Sequence, residues 1–243
     1  MIAILTDFHG SEYIGVMKGA ILSGKKGRSA QIVDLCHTIS PQNVKEGAWV
    51  LYKSYKYFPK ATIFLCVVDP GVGSSRQCVA VRTKNYFFTG PDNGLLYKAA
   101  SDDGITSVVK LDSGSASKTF HGRDVFAKAA AMLDDGIPIE KLGAKTTLRQ
   151  KLDFHLKGRE GEIARIDSFG NMITNLAPLH KKFYNIKYEN FRGRLDFYET
   201  YESAPKGKLF LIEGSSATLE ISIKNGSAAI KLGAVSGQKI EIK

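Results

Sequence analysis

Up to Asp135 the chain alternates short runs of β-branched and other apolar residues with longer stretches whose apolar positions recur at helical spacing. The runs Ile2 to Phe8, Gln31 to His37, Thr62 to Asp69, Cys78 to Thr83, Tyr86 to Thr89 and Ser107 to Leu111 predict strands. Between the first two, Tyr13, Val16, Met17, Ala20 and Ile21 predict the inward face of a helix, which Gly24 ends. A second helix is predicted to start at Ser40-Pro41, a cap residue followed by proline at the first helical position, and to turn Val44, Ala48, Leu51, Tyr52 and Tyr55 inward. Asp124 to Asp135 predicts a third, rich in alanine. Strands alternating with helices point to an α/β layer architecture.

Beyond residue 155 the helical period disappears, and short alternating segments separated by glycine and asparagine turns predict an all-β second domain. Its predicted strands are Glu162 to Ile166, Asn171 to Asn175, Arg192 to Tyr198, Lys208 to Glu213, Thr218 to Ile223, Ala228 to Leu232 and Lys239 to Ile242. The basic stretch from Gly143 to Gly161 reads as a linker, so the expected division is an α/β domain over 1–150 and a β domain over 155–243. Neither an internal repeat nor a low-complexity tract interrupts this pattern.

With 243 residues, 43% of them hydrophobic and 24% charged, the chain has enough material for one large core or two modest ones. Its first residues lack the basic region of a signal peptide, and no apolar run approaches the roughly 18 residues of a membrane span. Cys36, Cys66 and Cys78 each lie in an apolar stretch without metal-ligand spacing, which predicts reduced thiols, no disulfide and a cytoplasmic address. A net charge of +10 raises the question of nucleic acid. The excess, however, is carried by 25 Lys against 9 Arg scattered along the chain, which describes a solvated lysine-rich surface better than a reader of phosphates. No nucleic-acid or membrane partner is expected.

Ligands of open α/β sheets bind beyond the carboxyl ends of the strands, and three such positions carry chemistry. Asp7, in Thr6-Asp7-Phe8, is placed to accept hydrogen bonds from ribose hydroxyls or, equally, to cap a helix. In Val67-Val68-Asp69-Pro70-Gly71-Val72-Gly73-Ser74-Ser75-Arg76 a strand runs into an acid, turns tightly, and returns an arginine seven residues later. The loop lacks the lysine and spacing of a P-loop, so alone it reads as a turn with a salt bridge. Thr119-Phe120-His121-Gly122-Arg123-Asp124 places a histidine, a proton handler near neutral pH, just before the alanine-rich helix. Asp34 and His37 lie three apart on a strand end, on opposite faces if the strand stays regular, so no metal site is expected there.

These segments, taken in order with Asp34-Leu35-Cys36-His37-Thr38-Ile39-Ser40-Pro41, Gly90-Pro91-Asp92-Asn93-Gly94 and Asp167-Ser168-Phe169-Gly170-Asn171, resemble the S-adenosyl-L-methionine hydroxide adenosyltransferases. These are relatives of the enzymes that make 5'-fluoro- and 5'-chloro-5'-deoxyadenosine. The resemblance spans nearly the whole chain. It implies an α/β N-terminal domain with a mostly parallel central sheet, an all-β, barrel-like C-terminal domain, and a homotrimer whose sites lie between subunits. It further implies that Asp69, Arg76 and His121 handle a water molecule and that Asp7 holds the ribose. Phe120 and Phe169 would border the ligand, Asn171 would bond the adenine, backbone near Ile223 would meet its edge, and Ser215 and Glu220 would face the methionine portion. Two stretches depart from the family pattern: a shortened His9-Gly10-Ser11-Glu12-Tyr13 loop, and Ala217-Thr218 and Ser222-Ile223-Lys224 where Gly-Tyr and an Ala-Val-Asn run are commoner.

The implied reaction is hydrolysis of S-adenosyl-L-methionine to adenosine and L-methionine by in-line attack of water at C5', with no metal or organic cofactor, because the sulfonium is already a good leaving group. Whether Asp69 or His121 takes the proton is open in the sequence. The rival readings are halogenation of the same substrate and a non-catalytic adenosine-binding module. The halogenating relatives lack the Asp, Arg and His set and carry an insertion where this chain passes directly from Arg82 to Gly90.

Overall fold

In β1 (Ile2–Thr6) every side chain is buried, because alternate residues serve opposite faces of one sheet and both faces are covered. The computed structural model describes residues 1–25 and 30–243. After β1 come α1 (Glu12–Gly24), β2 (Ile32–Cys36), α2 (Val44–Ser54), β3 (Ile63–Val67), β4 (Cys78–Thr83), β5 (Phe87–Pro91), α3 (Tyr97–Asp103), β6 (Ile105–Leu111), α4 (Lys128–Asp134) and β7 (Gly143–Lys145). The sheet order is β2-β1-β3-β5-β4-β6-β7. Strands β2, β1, β3 and β5 run parallel, while β4 opposes both β5 and β6, and β7 opposes β6.

Ile2, Ile4, Leu65 and Val67 pack with Met17 and Ile21 of α1 and with Ala130 and Leu133 of α4 on one face. Ala3, Leu5, Phe64 and Cys66 pack with Val50 and Leu51 of α2 and Ala99 of α3 on the other. Each fully buried Leu or Ile contributes about 1.5–3 kcal/mol. Because β1 and β3 are parallel neighbours in register from Ile2 opposite Ile63 to Thr6 opposite Val67, Asp7 and Asp69 leave the sheet at the same edge. That edge is where ligands of such sheets bind.

The second compact unit begins at Asp153, the first ending at Leu152. It holds β8 (Glu160–Ile166), β9 (Met172–Thr174), β10 (Phe183–Tyr188), β11 (Phe191–Asp196), β12 (Leu209–Glu213), β13 (Leu219–Ile223), α5 (Ala228–Leu232) and β14 (Lys239–Ile242). The order β11-β10-β14-β8-β9-β13-β12 is antiparallel throughout. Just past β11 the chain bridges to β12, Tyr198 N–H donating to the Leu211 carbonyl at 2.9 Å, so the sheet curls into a nearly closed barrel around Ile163, Tyr184, Leu211, Ile221 and Ile240.

Several predicted details change. Ala228 to Leu232 is a helix rather than a strand. The Ser227 hydroxyl caps it by accepting from Ile230 N–H, and Gly233 ends it in the left-handed conformation. Strand β10 lies outside the predicted set although its side chains alternate between exposed and buried, and α3 and β7 were likewise not foreseen. Helix α2 is capped by Asn43, whose side chain accepts from Glu46 N–H, and not at Ser40. Tyr13 and Val16 are exposed on α1, the buried positions being Ile14, Met17 and Ile21.

His37 and Asp34 do not lie on opposite faces. The pairing of β1 with β2 shifts between Ile4 and Leu5, and His37 turns back to hydrogen-bond Asp34 at 3.0 Å and Thr6 Oγ1 at 2.8 Å.

Candidate functional site

Past β3 the chain makes two tight turns, with Val72 N–H bonded to the Asp69 carbonyl and Ser74 N–H to that of Gly71, and these carry Arg76 back beside Asp69. Gly73 adopts φ +79°, and a Cβ there would fall 2.4 Å from the Lys118 carbonyl oxygen. Glycine thus lets the loop lie against the segment that delivers His121. His121 itself precedes a single π-helical turn, Gly122–Ala127, that leads into α4, a distortion often found where helices carry function.

Arg76 is the hub of the resulting cluster. Its Nε donates to Asp69 Oδ1 at 2.9 Å and its Nη2 to Asp69 Oδ2, a bidentate pair in which both side chains are almost fully buried. Nη2 also reaches His121 Nδ1 at 2.8 Å, and Nη1 reaches Cys78 Sγ at 2.9 Å. A guanidinium has donors only, so His121 Nδ1 must be the acceptor and the imidazole is neutral with its proton on Nε2. Burial, and after it the charge of Arg76, push the His121 pKa down from its ordinary value, in agreement with a neutral ring.

A cleft of about 360 Å³ opens at this edge of the sheet, and Asp7, Asp69, Phe120 and His121 all line it, together with Phe8 and Gln42. Arg76 does not; it stands behind the two groups it holds. Asp7 Oδ2 accepts from Gln42 N–H at 2.8 Å, fixing the carboxylate and leaving Oδ1 for a ligand. The rings of Phe8, Tyr13 and Phe120 meet edge to face, with centroids 5.2–6.3 Å apart, so Tyr13 packs on the two phenylalanines that line the cleft.

The β unit carries its own cleft, of about 720 Å³, bordered by Phe169, Asn171, Ser215, Glu220 and Ile223 together with Asp167 and Tyr201. Asp167 Oδ1 accepts from the backbone N–H groups of Phe169 and Asn171, and its Oδ2 accepts from Asn171 Nδ2 at 2.9 Å. The turn so held leaves Phe169 78% exposed. Tyr201 O–H donates to Glu220 Oε2 at 3.0 Å. Burial pushes the Glu220 carboxyl up, and burial with the charge of Glu220 pushes Tyr201 up to about 12. A Cβ on Gly214 would overlap the Glu220 carboxylate, so any other residue there would have to displace that side chain. Ala217 holds φ +54°, a left-handed conformation that costs alanine about 1 kcal/mol or more and that glycine would adopt freely.

All ten residues picked out by sequence therefore fall on or directly behind two clefts, five of them around one in the β unit. Tyr13, Cys78 and Tyr201 were missed. Cys78 had a signal: it follows Arg76 by two residues at the start of β4, the spacing that puts side chains on one face. Tyr201 lies in the turn-rich stretch after β11 and had none.

Residues 2–143 match the family model of the SAM hydroxide adenosyltransferase N-terminal domain, and residues 161–241 match that of the C-terminal domain. The chain is 36% identical to an (R)-S-adenosyl-L-methionine hydrolase of Methanocaldococcus jannaschii over 91% of this chain and 88% of that one. To the protein of the same description from Thermus thermophilus it is 34% identical, over 98% and 97%. A fluorinase of Actinopolyspora mzabensis is 30% identical, but over 47% of this chain and 48% of its own. Among solved structures, an uncharacterized conserved protein from Thermotoga maritima superposes with a TM-score of 0.91 at 33% identity, covering 100% of this chain and 99% of the other.

Proposed function

Because the chain belongs to the SAM hydroxide adenosyltransferase family, we propose that it hydrolyses S-adenosyl-L-methionine to adenosine and L-methionine. The observation that carries this reading is the pair Asp69 and His121, side by side on the wall of one cleft and both gripped by Arg76. Incubating the protein with S-adenosyl-L-methionine should yield adenosine and methionine in equal amounts by chromatography. No adenosine above the enzyme-free rate, or a 5'-halogenated adenosine when halide is supplied, defeats it. Halogenation is the weaker reading, since the hydrolases match at 34–36% identity over at least 91% of the chain, whereas a fluorinase that matches over 83% of it does so at 26%.

Water held in line with the C5'–S bond gains the large rate factor of fixed geometry. Its oxygen forms the bond to C5' while the C5'–S pair leaves with sulfur, giving a neutral thioether, so no acid is needed for the leaving group and no cofactor is called for. His121 Nε2–H, the one proton of a neutral ring whose Nδ1 is occupied, donates to the nucleophile and orients it. Asp69 is the acceptor for the proton that the water loses. Asp7 Oδ1 takes the ribose hydroxyls. In the β cleft the Asn171 carbonyl receives the adenine amino group, and Ser215 and Glu220 face the methionine end. The active unit is a homotrimer in which the two clefts of each site come from neighbouring subunits. The buried thiols of Cys66 and Cys78, outside any disulfide, support a cytoplasmic location.

Two outcomes follow. Protonation of His121 puts a proton on Nδ1, facing the guanidinium, and breaks the grip of Arg76. Because the folded pKa is depressed, activity should be present above it and lost as pH falls through it. The acid limb of kcat/KM should thus lie below the ordinary histidine value of 6.5. A limb at or above that value removes the neutral tautomer from the mechanism. Asp7→Ala should raise KM roughly ten- to hundredfold through loss of a charge-assisted hydrogen bond of about 1.5–3 kcal/mol, with kcat little changed. Steady-state kinetics showing the reverse pattern would place Asp7 on the reacting atoms instead.

A further inference from the structure

The segment Gly90-Pro91-Asp92-Asn93-Gly94 touches none of the reacting groups proposed above, yet it reaches both ends of the loop that carries them. The pairing of β3 with β5 ends at Leu65 opposite Thr89, and Pro91 has no N–H with which to extend it. The side chain of Asn93 takes over: its Nδ2 donates to the carbonyl of Val68 at 2.8 Å, one residue before Asp69, while its Oδ1 accepts from Leu95 N–H at 3.2 Å. The neighbouring residue holds the other end. Asp92 N–H donates to the carbonyl of Gln77 at 2.9 Å, one residue after Arg76. The Asp92 carboxylate, itself buried, accepts from the backbone N–H groups of Arg149 and Gln150, so this anchor is tied in turn to the 146–150 strap.

Two consecutive residues thus fix the positions from which Asp69 and Arg76 spring. The separation matters because the Asp69–Arg76 pair is bidentate and the same Nη2 must reach His121 Nδ1. A shift of either arm breaks one of these bonds, and a misplacement of about 1 Å at a reacting centre is worth on the order of a hundredfold in rate.

We propose that Asn93, with Asp92 beside it, is a positioning residue for the Asp69–Arg76–His121 cluster, acting through the backbone of the 69–76 loop. The inference rests on the hydrolase reading for its kinetic arm only. Asn93→Asp separates the two bonds, since it keeps the acceptor toward Leu95 and removes the donor toward Val68. Asn85→Ala is the control: Asn85 braces the far end of the same β4–β5 hairpin through Asp103 and lies outside the site.

Expected for Asn93→Asp is a fall in kcat on the order of ten- to a hundredfold with KM within about threefold. Arg76 then holds Nδ1 less firmly, so the His121 pKa, followed by NMR titration of its ring without substrate, should move up toward the ordinary histidine value. Asn85→Ala should lower the melting temperature and leave kcat and the titration as in the wild type. An unchanged kcat and His121 titration in Asn93→Asp overturns the proposal. Equal losses of kcat in both variants overturn it too, reducing Asn93 to a general structural contact. If the wild type itself forms no adenosine, the hydrolase reading fails, and the titration still decides the positioning role.

Discussion

Replacing Arg76 with alanine is expected to lower kcat by a factor on the order of 10² to 10³, the usual effect of removing one preorganised charged donor from a reacting centre. The structure makes the loss indirect. Arg76 stands behind the cleft, and its guanidinium spends its donors on both oxygens of Asp69, on His121 Nδ1 and on Cys78 Sγ. Without it the carboxylate is left buried and unpaired, and the imidazole is free to turn or to take the other tautomer. Breaking a buried pair of this kind also destabilises the fold by about 3 kcal/mol, so thermal melting must accompany the kinetics. Arg76→Lys should recover part of the rate, since a lysine keeps the charge but lacks the planar fork that bonds Asp69 bidentately while reaching His121. KM should change little in either variant, because Arg76 is not among the cleft-lining residues. A variant with near-normal kcat and weakened binding alone is incompatible with a role on the nucleophile.

What could be read in the sequence and what could not divide along physical lines. Asp7 and Asp69 stood out as acids ending apolar strands, but each had an ordinary structural reading, a helix cap and a turn with a salt bridge, until the ordered family motifs joined them; the parallel pairing of β1 with β3 puts both at one edge. His121 was legible as a residue type, but its tautomer was not, because that depends on a hydrogen bond to a residue 45 positions away. The same limit hid the bond between His37 and Thr6 and the two anchors of the 69–76 loop, all contacts between distant segments. Ala228 to Leu232 misled for the opposite reason: a short run of four apolar residues and one lysine fits strand and helix alike, and only the Ser227 cap and Gly233 decide it. On α1 the predicted inward face holds at Met17 and Ile21 and fails in the first turns, where Ile14 is buried while Tyr13 and Val16 are exposed, Tyr13 packing on Phe8 and Phe120 instead.

The sharpest test of the proposed composite trimer is recovery of activity from two inactive proteins. Asp69→Ala removes the acceptor in the α/β cleft, and Asn171→Ala removes the proposed adenine contact in the β cleft, so each homotrimer should have little activity at substrate concentrations below the wild-type KM. In a head-to-tail ring each site takes one cleft from one subunit and the other from its neighbour. After subunit exchange between equal amounts of the two variants, a site draws both an intact Asp69 and an intact Asn171 in about one case in four, so the mixture should approach about a quarter of the wild-type rate. The expectation is tied to the geometry of the two substitutions. Asp69 lies in the unit ending at Leu152 and Asn171 in the unit beginning at Asp153, so no mixed site carries both lesions unless both come from the wrong partners. Asn171 is buried and bonded to Asp167, so melting curves of the single variants must first show intact folds. Exchange itself is followed by native mass spectrometry of the mixed species. Exchanged trimers with no recovered activity, or a monomer with the full wild-type rate, overturn the shared site.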